Sequence, residues 1–105
     1  MHLTSYLHDG VLTIALTGEI DHHCAKQNIQ IIKGKIEAYM PKLCVLDFQD
    51  VIFMDSSGIA VVINALRMMV KLGGDLELTG LQQQPMKVFK TSGIDRLIKI
   101  KEQVR

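Results

Sequence analysis

Cysteine, basic runs and long apolar runs are all scarce or absent in this chain, and each scarcity removes a class of protein. Only two cysteines occur, Cys24 and Cys44. They fall in a predicted helix and a predicted strand, which fits reduced thiols in a cytoplasm and not a disulfide framework. No apolar stretch reaches the roughly 20 residues of a membrane-spanning helix, so no membrane is expected among the partners. The opening Met1-His2-Leu3-Thr4-Ser5 lacks the charged-then-apolar layout of a secretion signal. Acids and bases are mixed along the chain and sum to a formal net charge of +1. Without a basic run, nucleic acid is not expected as a partner either. Neither an internal repeat nor a low-complexity segment is present. What is there is 105 residues, enough for one domain over 1–105 and too few for two. At this length about two-thirds of the unfolded surface can be buried, so a proper core is expected.

Asp9-Gly10 separates two β-type runs, Leu3–Leu7 and Val11–Thr17, and predicts a tight hairpin. Gly18 is expected to end the second run. Asp21 is a plausible N-cap for a helix in which Ala25, Ile29, Ile32, Ile36 and Met40 recur at helical spacing. Gly34 weakens that helix by roughly 1 kcal/mol relative to alanine. Pro41 is expected to end it by forcing Met40 out of helical geometry. Leu43-Cys44-Val45-Leu46 is nearly continuous apolar sequence, as in a central strand covered on both faces. After a polar turn at residues 53 to 58, Ile59 to Leu72 reads as helix, closed by Gly73-Gly74. Leu76 and Leu78 alternate with polar residues in a further strand. Pro85 opens a short helix, Gly93 caps it, and Leu97, Ile98 and Ile100 suggest a last strand. The order ββαβαβαβ predicts a single α/β domain with a mixed β-sheet and packed helices.

The helix from 59 to 72 is more apolar than one buried face requires. Ile59, Val62, Ile63, Leu66 and Val70 form one stripe, expected to pack on the sheet. Val61, Ala65, Met68 and Leu72 form a second stripe on the opposite side. Either a neighbouring helix covers that second stripe, or it is displayed to a partner. Ser57 falls on its side of the helix.

The turn Phe53-Met54-Asp55-Ser56-Ser57-Gly58 places two hydroxyls and a carboxylate where free backbone N–H groups and the positive end of a helix dipole meet. Three roles compete. The first is capping, with Asp55, Ser56 or Ser57 satisfying the first N–H groups of the helix. The second is a hydrolase nucleophile, but Met54-Asp55-Ser56-Ser57-Gly58 is not the G-x-S-x-G elbow, and none of His2, His8, His22 and His23 is obviously placed as a base. The third is a phosphorylation switch. A phosphate is tolerated at a helix N-terminus, so its effect would fall on whatever docks there.

Thr17-Gly18-Glu19-Ile20-Asp21-His22-His23 together with Phe53-Met54-Asp55-Ser56-Ser57-Gly58-Ile59 resembles the STAS domain of anti-sigma factor antagonists, with the sporulation antagonists of endospore-forming bacteria as the nearest branch. The resemblance runs from the hairpin to the last strand. It implies a cytoplasmic, non-enzymatic STAS-like regulator without a cofactor of its own. In such a circuit the unphosphorylated antagonist binds an anti-sigma factor and frees a sigma factor. That anti-sigma factor is also a serine kinase, bringing its own ATP and Mg²⁺, and a PP2C-type phosphatase reverses the modification. Carried onto this chain, the phosphorylated residue is Ser56, with Ser57 its neighbour and Asp21 matching an acidic position beside it. With the serine turn and the second stripe of the following helix read as one docking face, Asp21, Asp55, Ser57, Gly58, Val61 and Met68 are the expected partner contacts. An alternative within the same fold is a constitutive STAS interaction subunit of a signalling scaffold or transporter-associated complex. Two departures stand out. Ala60 occupies a place where relatives often have glycine, and the sequence reaches Arg105 soon after the last strand, where many relatives add a helix.

Asp21-His22-His23-Cys24 also spells the motif of palmitoyltransferases, but the zinc-bound cysteine-rich domain and membrane helices of that class have no counterpart in this sequence. No metal site is expected from His22, His23 and Cys24. Adjacent helical residues diverge by about 100°, and no second ligand pair appears.

Overall fold

Asp9 and Gly10 carry φ angles of 51° and 79°. Two positive values in succession are what a two-residue hairpin loop needs to match the twist of its strands. The computed structural model describes residues 2–101, and there this turn joins β1 (His2–His8) to β2 (Val11–Ile20) in antiparallel register from His2 opposite Thr17 to His8 opposite Val11. The remaining elements are α1 (His22–Tyr39), β3 (Leu43–Met54), α2 (Ser57–Lys71), β4 (Asp75–Thr79), α3 (Gln83–Ser92), a 3₁₀ turn at Ile94–Arg96 and β5 (Lys99–Lys101). The five strands lie in the order β1-β2-β3-β4-β5, and every pair after the first is parallel. The ββαβαβαβ order and mixed sheet read from the sequence are therefore those of the molecule.

Four local expectations change. Gly18 does not end β2. The strand runs on to Ile20, and Gly18, at φ 104°, sits where the β2–β3 register shifts. A left-handed glycine absorbs such an irregularity without breaking the strand. The strand β3 is not covered on both faces. Cys44, Leu46 and Phe48 are fully buried, whereas Leu43, Val45 and Asp47 are only half-buried. Leu12 and Ile14 of β2 and Leu76 and Leu78 of β4 share the buried face in register, and the helices lie over it. Leu97 lies outside β5 and is 69% exposed, while Ile94 and Ile98 hold the turn to the core.

The fourth change is in α2. Val61, Val62, Ala65 and Met69 are buried, so the core face cuts across both stripes read from the sequence. Val61 and Ala65 of the second stripe are sealed where α2 meets α1, beside Ile29 and Ile32, whereas Val70 of the first stripe is 64% exposed. The neighbouring helix covers half of the second stripe. Met40, at φ 45°, leaves right-handed helical geometry just before Pro41, as expected from the sequence, although it does so in a left-handed conformation and not in the extended one that a following proline favours.

Candidate functional site

Two strand-to-helix turns meet at one end of the sheet. Ile20 and Met54, the last residues of β2 and β3, are paired. The Asp55 N–H then donates to the Ile20 carbonyl at 3.0 Å, so the turn carrying Asp21 and the turn carrying Asp55 run side by side. Asp21 is an N-cap. Its Oδ1 accepts from the N–H of His23 at 3.0 Å and of Cys24 at 3.2 Å, while the Asp21 N–H donates to Cys24 Sγ at 3.4 Å. Cysteine here takes the place that Glu or Gln usually holds in a capping box.

The second turn is built differently. Asp55 Oδ1 accepts from the Ser57 N–H at 2.8 Å and from the Ser57 hydroxyl. The Gly58 N–H donates to the Asp55 carbonyl, and the Ile59 N–H to the Ser56 carbonyl, both at 3.1 Å. Ser56 itself is exposed, lies in helical φ/ψ and makes no side-chain cap hydrogen bond. Asp55 and Ser57 do the local structural work, and the Ser56 hydroxyl is left facing water at the head of α2.

Both acids stay ionised. For Asp55 the side-chain and backbone hydrogen bonds from Ser57 lower the pKa below the ordinary aspartate value, aided by His22, whose Nδ1 lies 4.0 Å from Asp55 Oδ2. For Asp21 partial desolvation acts upward, but donation from Cys24 and His23 outweighs it and the pKa is lowered. Ser56 therefore stands at the N-terminus of α2 directly after a carboxylate whose ionised form is favoured.

The hydrolase reading finds no support in this geometry, since no histidine among the described residues hydrogen-bonds to Ser56. Nor do three metal-ligating side chains gather anywhere among the described residues. Of the expected partner contacts, Asp55 and Ser57 flank Ser56, and the Asp55 N–H bond to the Ile20 carbonyl brings the turn that carries Asp21 alongside. Val61 does not join them, because a side chain with 0% exposure offers no surface to touch. Gly58 is also buried. A Cβ there would lie 2.7 Å from Met54 Cε, so the glycine is packed under the end of the Met54 side chain. Met68 is half-buried, farther along α2, in a groove of ≈ 500 Å³ between α1 and α2 that Lys33, Arg67 and Lys71 also border.

Three features near the turn were not read from the sequence. Ile52 and Phe53, at the end of β3, are 62% and 43% exposed. A groove of ≈ 540 Å³ runs from Ser56 and Ile59 to Gln84, Lys87, Val88 and Thr91 on α3. Gln84 also reaches the backbone of Met54. Strand patterning could have flagged Ile52-Phe53 as adjacent apolar residues that cannot both face one core. Nothing in the sequence marks Gln84, because the contact spans 30 residues.

The STAS domain family matches residues 2–105. An anti-sigma F factor antagonist of Paenibacillus polymyxa is 27% identical over 93 residues, covering 89% of this chain and 80% of that protein. Among solved structures, the anti-sigma factor antagonist SpoIIAA in its unphosphorylated form superposes with a TM-score of 0.85 at 25% identity, covering 99% of this chain and 90% of that one. SpoIIAA of Bacillus in its phosphorylated form superposes with a TM-score of 0.76, also at 25% identity, covering 99% and 93%.

Proposed function

The chain belongs to the STAS domain family, and we propose that it is an anti-sigma factor antagonist switched off by phosphorylation of Ser56. The unphosphorylated chain binds an anti-sigma factor and releases a sigma factor, acting by binding and without turnover of its own. The anti-sigma factor is also the serine kinase and supplies ATP and Mg²⁺, and a PP2C-type phosphatase restores the active form. The setting is the bacterial cytoplasm, with sporulation as the process. The observation that carries this reading is the idle hydroxyl of Ser56, exposed and unbonded at a helix head whose cap is made by Asp55. The names of the relatives and the two forms in which SpoIIAA is solved support it.

The physics of the switch follows from the turn. A phosphate on Ser56 meets the N–H groups of α2 and the helix dipole, so the fold tolerates it. It also adds nearly two negative charges beside Asp55 and Asp21. Each unit-charge pair ~7 Å apart is worth roughly 2 kcal/mol at an effective dielectric near 20. Desolvating that cluster under a partner then costs several kcal/mol, which is orders of magnitude in affinity.

Incubation with an anti-sigma serine kinase and ATP, followed by mass mapping, tests the reading directly. Phosphate is expected on Ser56, and Ser56→Ala is expected to bind the kinase and stay unmodified. Phosphate found only on another residue, with Ser56→Asp binding as tightly as the native chain, would sink it.

A further inference from the structure

The strand β3 is longer than its neighbour β4. Their pairing runs from Leu43 opposite Asp75 to Asp47 opposite Thr79 and stops there, while β2 accompanies β3 as far as Met54. Residues 48–54 therefore have a strand on one side only. Backbone groups on the other side need partners, because a half-buried N–H or C=O without one is costly. The chain turns away from β4 at Gly80, where a Cβ would lie 2.9 Å from Gln49 N, and the start of α3 is laid along the bare edge. Gln82 Nε2 donates to the Gln49 carbonyl. Gln84 does more. Its Oε1 accepts from the Met54 N–H and its Nε2 donates to the Met54 carbonyl, both at 2.9 Å. One primary amide thus copies the donor–acceptor pair that a neighbouring strand would have offered. It does so on the residue directly before Asp55-Ser56.

We propose that Gln84 is a positioning residue for the phosphoacceptor turn, a side-chain surrogate for a missing strand that fixes where β3 ends and hence where Ser56 is presented. This rests on the assignment of Ser56 as the modified residue, but its structural half stands without it. Met54 is held from both sides, by β2 at Ile20 and by α3 at Gln84. The Asp55 N–H turns back to Ile20, and Asp55 in turn holds Ser57. Releasing the Gln84 side lets the last residue of β3 swing and carries the cap and the hydroxyl with it. Phosphoryl transfer is sensitive to such displacement, because its rate depends on in-line placement of the attacking oxygen. The fold should be far less sensitive, since Gln84 is only half-buried.

The test separates position from stability. In Gln84→Ala, amide hydrogen exchange at residues 54–59 is expected to speed up about tenfold relative to the native chain, with β1 and α1 unchanged. Gln84→Glu supplies a signature that a packing role would not give. An ionised carboxylate accepts from the Met54 N–H but cannot donate to its carbonyl, whereas a protonated one does both. Protection in Gln84→Glu, taken as a ratio to the native chain at each pH, should therefore recover as pH falls from 7 toward 4. With an anti-sigma serine kinase and ATP, Gln84→Ala should lower kcat for Ser56 phosphorylation about tenfold and change KM much less. Three results would overturn the proposal: unchanged exchange in Gln84→Ala, acceleration spread evenly over the whole domain, or native kcat despite a loosened turn. If exchange behaves as expected but the native chain takes no phosphate at Ser56, the proposed function fails and the surrogate-strand role stands.

Discussion

Two strand-to-helix turns lie side by side in this domain and end up with opposite characters. Each leaves the C-terminal end of a parallel strand and enters a helix. At the first, the side chain of the N-cap residue is fully engaged, because Asp21 holds two backbone N–H groups and Cys24 closes the box. At the second, the N-cap residue Ser56 holds nothing, and the carboxylate one residue earlier takes over. The first turn is spent on stability. The second keeps the geometry of a helix N-terminus while leaving its most reactive-looking oxygen free. A capping-type residue that does not cap is the mark of a position available for chemistry.

That contrast can be broken from its functional side first. Ser56→Asp is expected to weaken binding to an anti-sigma partner at least a hundred-fold, about 3 kcal/mol, as read by calorimetric titration, while leaving the melting curve nearly in place. A variant that binds normally would make the two turns equivalent. Truncating the acids comes next. Asp21→Ala should cost about 1–2 kcal/mol in thermal or urea unfolding, the usual loss of an N-cap. Asp55→Ala should cost a similar amount. Acid sharpens the same point. Both carboxyls have folded-state pKa values below their ordinary value, so their contribution is complete above the ordinary aspartate range, near 3.8, and is lost as pH falls through the folded values. Stability should drop as pH falls below about 4, and Asp21→Asn should flatten the drop.

Smaller effects lie farther from the turns. Asn28 is buried with an amide nitrogen that has no hydrogen-bond partner. Its replacement by leucine should raise stability by about 1 kcal/mol, since an unsatisfied buried donor carries that order of penalty. A loss instead would show that the amide is satisfied in solution. Smallest of all is Ser56→Ala, expected to move unfolding by less than about 0.5 kcal/mol, as surface changes without lost partners do. A shift as large as that of Asp21→Ala would mean that the serine caps after all.

Much of this was legible along the chain because the signals are local. Asp9-Gly10 gave the hairpin, Pro41 the end of α1, and Gly93, at φ 82°, the end of α3. Asp21 as cap was legible for the same reason, since a cap binds residues two and three positions away. Val61 shows where locality ends. Helical periodicity says that two sides of α2 are apolar, but which side meets α1 depends on how the helices are set on the sheet. The contact that seals Val61 and leaves Val70 exposed is tertiary. Leu97 was misread because a short apolar run does not distinguish a strand from the turn before it.

Composition and local pattern alone determined an α/β domain with the element order ββαβαβαβ, and a hydroxyl-rich turn at the head of its second long helix. Hydrophobic periodicity and turn chemistry act over a few residues and are written in the chain. Only the folded molecule decided which of Asp55, Ser56 and Ser57 would be used up by the cap, which side of α2 would be covered, and that a glutamine on α3 would complete the unpaired end of β3. Those outcomes depend on backbone groups brought together from distant parts of the sequence, and the need of each buried donor and acceptor for a partner is settled only once the strands are in place.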